Sequence, residues 1–334
     1  MKKFLNLLTV AAVGATMSVK TVAAEEVIRA VHAFPNFLVY TKTFLSYVDE
    51  VNARGKGVVR IQVMGGPEAI KMFEQPNAVR DGVVDMVHTP GSFYGAAVPE
   101  IDAMVASTKN AMETRANGGT AMMDAAHQKR FNVKYLAWID SGIGFNIFTV
   151  NEPKFRASDG VLDLSGVKIR DNPIYTAFLK SLEATTSPMP STEAYGALEK
   201  GVIDAAPWTT IGITDLKWNK FLNYMVEPSF YSTDLGIIVN LDRWNGLSTE
   251  AKAVLEEVAI EWEQKSHDDR QADVSKYKTA YKEGGMGFVS HSDAGGANYL
   301  KLAYDSVWAR ATERMTEKGD GGDVAKLRAL YAPE

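Results

Sequence analysis

GVKIR at residues 166–170 and STEAYGALEKGVID at residues 191–204 are the two blocks that decide the fold. The first block is typical of a strand, and residues 173–182 after it are typical of a helix. The second block predicts a helix over 192–200 and then a strand over 202–206, which stops at Pro207. This half of the chain is therefore expected to alternate strands and helices.

The N-terminal half repeats that alternation. It predicts helices at 37–52 and around 75–80, between strands at 27–32, 58–64 and 83–88. Strands separated by helices favour βαβ units with right-handed crossovers and a largely parallel sheet. Ligands bind at the carboxyl ends of strands in such sheets. Those ends fall here at 32–36, 65–68 and 89–94.

A single long helix is predicted in the C-terminal third. Ser248 is a good N-cap with Glu250 in the first turn, and an apolar stripe continues to about Tyr281, before Gly284. Such a helix would be roughly 50 Å long, which is more than one small lobe needs. The chain also exceeds the size at which single cores stop growing, about 250 to 300 residues. We expect two lobes and a helix that crosses both.

The first 24 residues have the order of a secretory signal peptide. Lys2 and Lys3 precede an apolar run from Phe4 to Val13, and Val22-Ala23-Ala24 supplies a small-residue cleavage site. The alternative, a membrane anchor, is disfavoured because the run is too short to span a bilayer. The sequence therefore predicts export, cleavage after Ala24 and a periplasmic location.

The net charge and the absence of cysteine exclude or disfavour several classes of function. Removing residues 1–24 takes away three lysines and no acid, so 33 basic residues face 41 acidic ones, a net charge of about −8. Such a surface disfavours nucleic acid and anionic membranes. The chain has no cysteine, which excludes disulfides, thiolate catalysis and thiolate metal sites.

The two opening blocks, together with AVRDGVVDM at residues 78–86, resemble the DctP-type solute receptors of tripartite ATP-independent periplasmic (TRAP) transporters. The resemblance covers essentially the whole mature chain. It implies an α/β, two-lobed fold like that of periplasmic binding proteins, with mixed sheets, a hinge and a long lobe-spanning helix. It also implies a small organic acid as ligand and the subunits of a TRAP membrane permease as partner, with which the receptor makes only peripheral contact.

The resemblance sets the expected division of the chain. Residues 25–147 with 236–275 form lobe I, and residues 148–235 with 276–334 form lobe II. The hinge is expected near 146–150, near 234–237 and within the long helix. No catalysis, cofactor or metal is expected.

Arg170 is the first candidate for ligand binding. A guanidinium can make two parallel hydrogen bonds to a carboxylate, and the helix that follows Asp171-Asn172-Pro173 would add backbone N–H groups. The alternative is a surface arginine paired with Asp171, which spacing alone favours. The resemblance implies that Arg170 is the carboxylate clamp of this family.

Two positions depart from relatives that bind sialic acid. Asn146 stands where those receptors have a second arginine, and Trp208 stands where relatives often have asparagine. Sialic acid is therefore not the expected ligand. Aromatic residues could instead form an apolar wall for a less polar acid, although each could equally be core: Phe34, Phe93, Phe145, Trp208 and Phe230.

Further candidates are chosen because they lie in loops or at strand ends. They are His32, Asn36, Glu68, Glu74, Thr89, Ser92, Trp138, Asn172, Thr209 and Tyr231. Glu74 could accept a hydrogen bond from a ligand hydroxyl, but an exposed helix-capping carboxylate is the commoner explanation.

Two other functions remain open. An exported hydrolase would need a nucleophile with a base, paired carboxylates or a metal cluster, and the sequence has neither Gly-x-Ser-x-Gly nor His-Glu-x-x-His. Paired carboxylates need not be adjacent in sequence, so they stay possible. A ligand sensor that signals to a membrane kinase would have the same fold as a transport receptor.

Overall fold

The computed structural model describes residues 24–332. The predicted signal peptide therefore lies outside the described residues, except for Ala24. The strands are β1 Glu26–His32, β2 Val59–Gly65, β3 Met86–Pro90, β4 Val133–Trp138, β5 Phe145–Thr149, β6 Lys154–Phe155, β7 Leu162–Asp163, β8 Lys168–Asp171, β9 Thr185–Pro188, β10 Ala205–Thr209, β11 Tyr224–Glu227, β12 Leu235–Asn240 and β13 Gly287–Ser290.

The α-helices are α1 Val39–Arg54, α2 Gln75–Arg80, α3 Ile101–Val105, α4 Ala111–Asn117, α5 Gly119–Phe131, α6 Thr176–Ser181, α7 Ser191–Glu199, α8 Leu241–Asn245, α9 Thr249–Glu283, α10 Asp293–Glu317 and α11 Val324–Tyr331. Within residues 24–332, no helix is long and apolar enough to cross a membrane.

The first sheet has five strands in the order β2-β1-β3-β12-β4. β1 runs parallel to β2 and β3, as the βαβ pattern predicts. β12 returns from the distant residues 235–240 and lies antiparallel between β3 and β4. The expectation of a largely parallel sheet is therefore wrong for this half, because a late strand enters the sheet in the opposite direction.

The second sheet has six strands in the order β13-β11-β5-β10-β8-β9. Pro207 lies inside β10 rather than after it, which corrects the predicted strand end. Thr210 N donates to Gly144 O, and Val150 N donates to Asp204 O, so the hydrogen bonds to β5 that flank Pro207 use the even-numbered residues 204 and 210. The nitrogen of Pro207 faces β8, whose pairing with β10 reaches only Ala205. The missing N–H therefore breaks no ladder bond.

Three segments join the two sheets: residues 139–144, residues 228–234 and helix α9. The predicted lobe boundary at 147/148 lies inside β5, and all of β5 pairs within the second sheet. A boundary in 139–144 fits the strand pairing better. The predicted hinge at 146–150 likewise falls in a paired strand, whereas 234–237 overlaps the end of the second connection. The domain division itself stays a prediction.

Helix α9 confirms the predicted long helix. It has 35 residues, and the Ser248 side chain accepts from Ala251 N as its N-cap. Its first half packs on the first sheet, where Arg115 makes two hydrogen bonds to the buried Glu263, at 2.6 and 2.7 Å. Near its end, the Tyr281 ring meets Phe148 of β5 at 6.1 Å. One helix thus contacts both sheets.

The last two helices also reach both halves. α10 packs on α6 beside the second sheet and on α3 beside the first, and α11 packs on α3, α4 and α5. The division predicted from the sequence places all of residues 276–334 in lobe II. The contacts of α11 argue for placing that helix with lobe I instead, because its apolar face is buried there through Leu327 and Tyr331.

Candidate functional site

A cavity with an empty volume of ≈ 410 Å³ lies between the two sheets. Its walls come from the ends of β3, β8 and β10, from the loop after β1, and from the segment that enters β12. The lining residues are Phe34, Tyr40, Pro90, Ser92, Phe93, Phe145, Arg170, Asn172, Ile174, Tyr175, Trp208, Thr209, Thr233, Asp234 and Leu235. Strand ends from both sheets therefore converge on one space, as expected for this class of sheet.

Arg170 is a buried cation without a protein counterion. Its side chain is 1% exposed, and its Nε and Nη1 atoms have no hydrogen-bond partner within residues 24–332. The neighbouring Asp171 instead accepts from the Thr176 hydroxyl, at 3.0 Å and 3.2 Å. The alternative interpretation of Arg170 as a surface residue paired with Asp171 is therefore wrong.

Burial dominates the electrostatics of this arginine. It lowers the pKa of Arg170, while the nearby Tyr175 hydroxyl and Asp171 act in the opposite direction. The guanidinium carbon also lies 5.7 Å from the ring of Trp208 and 5.5 Å from that of Trp218. Aromatic faces attract a cation, but they leave its N–H groups free for an acceptor.

A second unused donor belongs to Trp208. Its indole Nε1 is buried and has no hydrogen-bond partner in the described part of the chain. Trp208 follows Pro207 in β10, and its ring meets Phe34 edge-on at 5.8 Å. A buried N–H that lacks an acceptor costs free energy. Two residues that line the cavity, Arg170 and Trp208, thus contain buried donors without an acceptor.

The remaining surface of the cavity is largely apolar and aromatic. The Phe145 ring meets Tyr175 edge-on at 5.4 Å. The Tyr40 hydroxyl donates to Thr209 Oγ1 at 2.6 Å, and that hydroxyl donates on to Ile211 O at 2.7 Å. These polar groups are therefore already satisfied, so they present mainly their carbon surface to a ligand.

Asp234 is the one acid among the lining residues. Its side chain accepts from the backbone N–H of Ser92 at 2.6 Å, which joins the connection 228–234 to the loop after β3. Burial raises its pKa to about 6, and hydrogen bonds from Ser92 oppose that rise. The lining of the cavity thus includes both a buried cation and a buried acid.

Eight of the seventeen candidate residues named from the sequence line this cavity, whereas Asn36, Glu68 and Trp138 are among those that do not. The eight lining residues are Phe34, Ser92, Phe93, Phe145, Arg170, Asn172, Trp208 and Thr209. The aromatic wall proposed from the sequence is thus assembled, except for Phe230, which is buried beside Phe145 and Phe178.

Asn146 was predicted as a ligand contact but lies outside the lining of this cavity. It is fully buried, its Nδ2 donates to Val226 O at 2.8 Å, and its Oδ1 accepts from Thr210 Oγ1 at 2.7 Å and Ser229 Oγ at 3.0 Å. These bonds tie β5 to its neighbouring segments. The side chain therefore serves the sheet and not the cavity.

Four other predicted residues also lie away from the cavity lining. His32 is buried, and its Nδ1 bonds Phe34 O at 2.7 Å. Thr89 is buried within β3, and Tyr231 shares a 3.2 Å hydrogen bond with Ser306. Glu74 is exposed near Lys71. Loop position alone cannot distinguish these residues from true lining residues, because it does not give side-chain direction.

Seven lining residues were missed from the sequence: Tyr40, Pro90, Ile174, Tyr175, Thr233, Asp234 and Leu235. In the sequence, Tyr40 is one of several apolar or aromatic residues of a predicted helix, so nothing distinguishes it as a lining residue. Ile174 and Tyr175 directly follow the predicted binding turn at Asn172, so adjacency could have identified them. Asp234 begins the predicted hinge segment 234–237, where an acid between apolar runs was an available signal.

Comparison with known proteins agrees with this architecture. A family model described as bacterial extracellular solute-binding protein, family 7 (DctP), matches residues 31–314. A solute-binding protein of Albidiferax ferrireducens is 25% identical over 308 residues, 85% of this chain and 83% of that protein. The C4-dicarboxylate-binding periplasmic protein DctP of Rhodobacter capsulatus is 21% identical over 281 residues, 83% of this chain and 82% of its own.

The fold is also that of a solved receptor. DctP7, an extracytoplasmic solute receptor of Bordetella pertussis that binds pyroglutamic acid, superposes with a TM-score of 0.77 at 16% identity, over 91% of this chain and 99% of that one. This confirms the predicted two-lobed α/β fold with mixed sheets. Because the family model covers most of its length, this chain belongs to bacterial extracellular solute-binding protein family 7, the DctP family of TRAP-transporter solute receptors.

Proposed function

We propose that this protein captures a small organic acid in the cavity around Arg170 and delivers it to the membrane permease of a TRAP transporter. The observation that carries the proposal is the buried guanidinium with two unpaired N–H-bearing nitrogens. A buried charge is costly unless it is paired. A ligand carboxylate would supply the missing counterion and accept from guanidinium N–H groups that the protein leaves unpaired.

The other lining groups support an acid of modest size. Trp208, which lines the same cavity as Arg170, has an indole N–H without an acceptor in the described part of the chain. Phe34, Phe93 and Phe145 surround the space with apolar surface, which favours a weakly polar or aromatic acid. Relatives in this family carry names for acid ligands, among them pyroglutamic acid and C4-dicarboxylates.

Capture is expected to close the two lobes. Ligand contacts that form only in the shut state drive closure of this kind. Arg170 belongs to the second sheet, whereas Ser92 and Phe34 follow strands of the first, so a ligand between them would join both. The shut form would then be the one that the permease receives.

Export is part of the proposal. The family consists of periplasmic solute-binding proteins, and the order of residues 1–24 supports cleavage after Ala24. Mass spectrometry of periplasmic material is expected to show a mature chain that begins at Glu25. Retention of residues 1–24 in that material would contradict the cleavage.

A thermal-shift screen over organic acids tests the central claim. A ligand that binds only the folded state at 100 times its Kd stabilises it by about 2.7 kcal/mol. We expect one or more small carboxylates to raise the melting temperature of the wild type and to leave that of Arg170→Met unchanged. Stabilisation by neutral sugars or amines, and by no carboxylate, would overturn the proposed function.

A further inference from the structure

Arg170 and Asp234 line the same cavity without pairing with each other. Both side chains are nearly fully buried, at 1% and 2% exposure. No ion pair within 4.0 Å joins either of them to an oppositely charged side chain among residues 24–332. Two buried opposite charges would normally be paired directly, since each is costly alone. Here both groups line one cavity and form no ion pair with each other.

The Asp234 carboxylate can accept more hydrogen bonds than it receives from the described residues. One oxygen, Oδ2, accepts from Ser92 N at 2.6 Å, whereas Oδ1 makes no hydrogen bond to the described residues. An ionised carboxylate can accept about four hydrogen bonds. Burial raises its pKa to about 6, so the group is mostly ionised at neutral pH. The cavity therefore contains an anionic acceptor that the protein leaves partly unused.

The nearest cations are committed elsewhere. Arg310 binds Asp102 through two hydrogen bonds, at 2.7 and 2.9 Å, and donates to Pro173 O through its third nitrogen. Arg314 also faces Asp102, at 3.8 Å. Asp234 is held on the connection 228–234 by the backbone bond to Ser92, so it is not free to swing towards Arg170. The remaining protein donor beside Asp234 is the neutral Ser92 hydroxyl, so a charged or N–H partner for this carboxylate is left for the ligand to supply.

We propose that the ligand carries an N–H donor, an ammonium or an amide, in addition to its carboxylate, and that Asp234 accepts from this donor while Arg170 holds the carboxylate. This inference rests on the proposed function and narrows it. A dicarboxylate of similar size would bring its second anion towards Asp234, and like charges in a closed, water-poor site repel. The site thus selects amino, imino or lactam acids over simple dicarboxylates.

The test uses rings of nearly equal size that differ at one atom. L-proline carries a secondary ammonium, L-pyroglutamate a neutral N–H, and cyclopentanecarboxylate neither, while tetrahydrofuran-2-carboxylate places an acceptor oxygen at the same position. Calorimetry near pH 7.5 with EDTA present removes any bridging divalent cation. We expect wild type to bind the better of the two N–H acids about 10-fold or more tightly than either ring without N–H.

Asp234→Asn gives the decisive comparison. The amide keeps the shape and can still accept from Ser92 N, but its NH₂ group would then face the ligand. The N–H preference should fall to about 2-fold or less, and the ether acid should gain. Asp171→Asn is the matched control, because Asp171 is a buried acid next to Arg170 that bonds Thr176 and does not line the cavity. Its N–H preference should equal that of wild type.

The outcomes separate the two claims. If no carboxylate binds, in this panel or in the thermal-shift screen, the proposed function fails. If carboxylates bind but the acids found lack an N–H group, or Asp234→Asn keeps the wild-type preference, only the inference about Asp234 fails. A preference seen without EDTA and lost with it would assign Asp234 to a bridging metal ion and would also overturn the inference. Circular dichroism confirms that each variant is folded.

Discussion

Arg170 on β8 is buried and Arg310 on α10 is partly buried, with 10% of its side chain exposed, but their hydrogen bonds differ more than their burial. Arg310 lies between the two halves, bonded twice to Asp102 of α3 and once to Pro173 O. Arg170 faces the cavity with Nε and Nη1 unpaired. The first arginine is satisfied by the fold itself. The N–H groups at Nε and Nη1 of Arg170 remain available to a ligand.

This contrast separates stability from binding. Removing one partner of a buried pair leaves an uncompensated buried charge. Removing a buried charge that has no partner relieves a desolvation cost. The same substitution at the two arginines should therefore act on different measurable quantities, and predictions for both follow in order of expected size.

Arg310→Met should cause the largest loss. The buried Asp102 would keep only the more distant Arg314, so the free energy of unfolding should fall by about 3–5 kcal/mol. Urea denaturation followed by circular dichroism measures this quantity. A loss below about 1 kcal/mol would mean that the pair contributes no more than an exposed one.

Arg170→Met should act on affinity instead. Truncating one partner of a buried charge pair costs about 2–5 kcal/mol, or roughly thirty-fold to several-thousand-fold in Kd for the acid ligand. The ligand-free variant should unfold no more easily than wild type, because no protein bond is lost at Nε or Nη1. Calorimetry and urea denaturation on the same preparations give both quantities.

Arg170→Lys is the control for charge without geometry. Lysine restores the positive charge but cannot offer two parallel N–H donors, so the affinity should recover only in part. Wild-type affinity in the lysine variant would show that charge alone holds the acid. Near-native affinity in the methionine variant would remove Arg170 from the site.

A smaller effect should appear in the pH dependence of binding. Asp234 accepts from a ligand N–H most strongly when it is ionised, and its pKa is raised to about 6. Affinity for an N–H acid should therefore rise about ten-fold between about pH 5 and pH 7, following the ionised fraction, since one pKa unit corresponds to a factor of ten. Calorimetry across that range measures it, and an unchanged affinity would contradict the assignment.

The charged and titratable groups around Asp234 must be considered, because they influence its pKa. Asp102 and Arg310 are the nearby charges, on α3 and α10. The pKa values of the facing tyrosines are raised by burial, which keeps them neutral: Tyr94, Tyr135 and Tyr175. Asp234→Asn is the control, since it has no proton to lose and should give a flat profile for the same acid.

The smallest effect is expected at Glu74. It was a candidate from its loop position, but it is exposed beside Lys71 and lies outside the cavity lining. Glu74→Gln should change neither affinity nor unfolding free energy by more than about 0.5 kcal/mol. A larger loss of affinity would return this residue to the site and place the ligand beyond the cavity described.

The sequence alone determined those features that depend on near neighbours. The apolar stripe and the Ser248 cap predicted helix α9. The two sequence blocks at 166–170 and 191–204 indicated the family, and the family resemblance indicated Arg170 as the residue that binds a carboxylate. Helix periodicity and capping act within a few residues, so they can be read along the chain. The aromatic residues near strand ends were likewise visible, and most of them line the cavity.

Tertiary structure decided the features that depend on distant contacts. Asp234 meets Ser92 across 142 residues of sequence, and no local pattern gives that contact. Asn146 and Asn172 were both proposed from the sequence as polar ligand contacts. The side chain of Asn146, however, forms its hydrogen bonds inside the sheet. Whether a buried polar group has partners depends on which segments pack around it. That is the physical reason why the sequence could nominate Arg170 but not establish that its guanidinium is left unpaired.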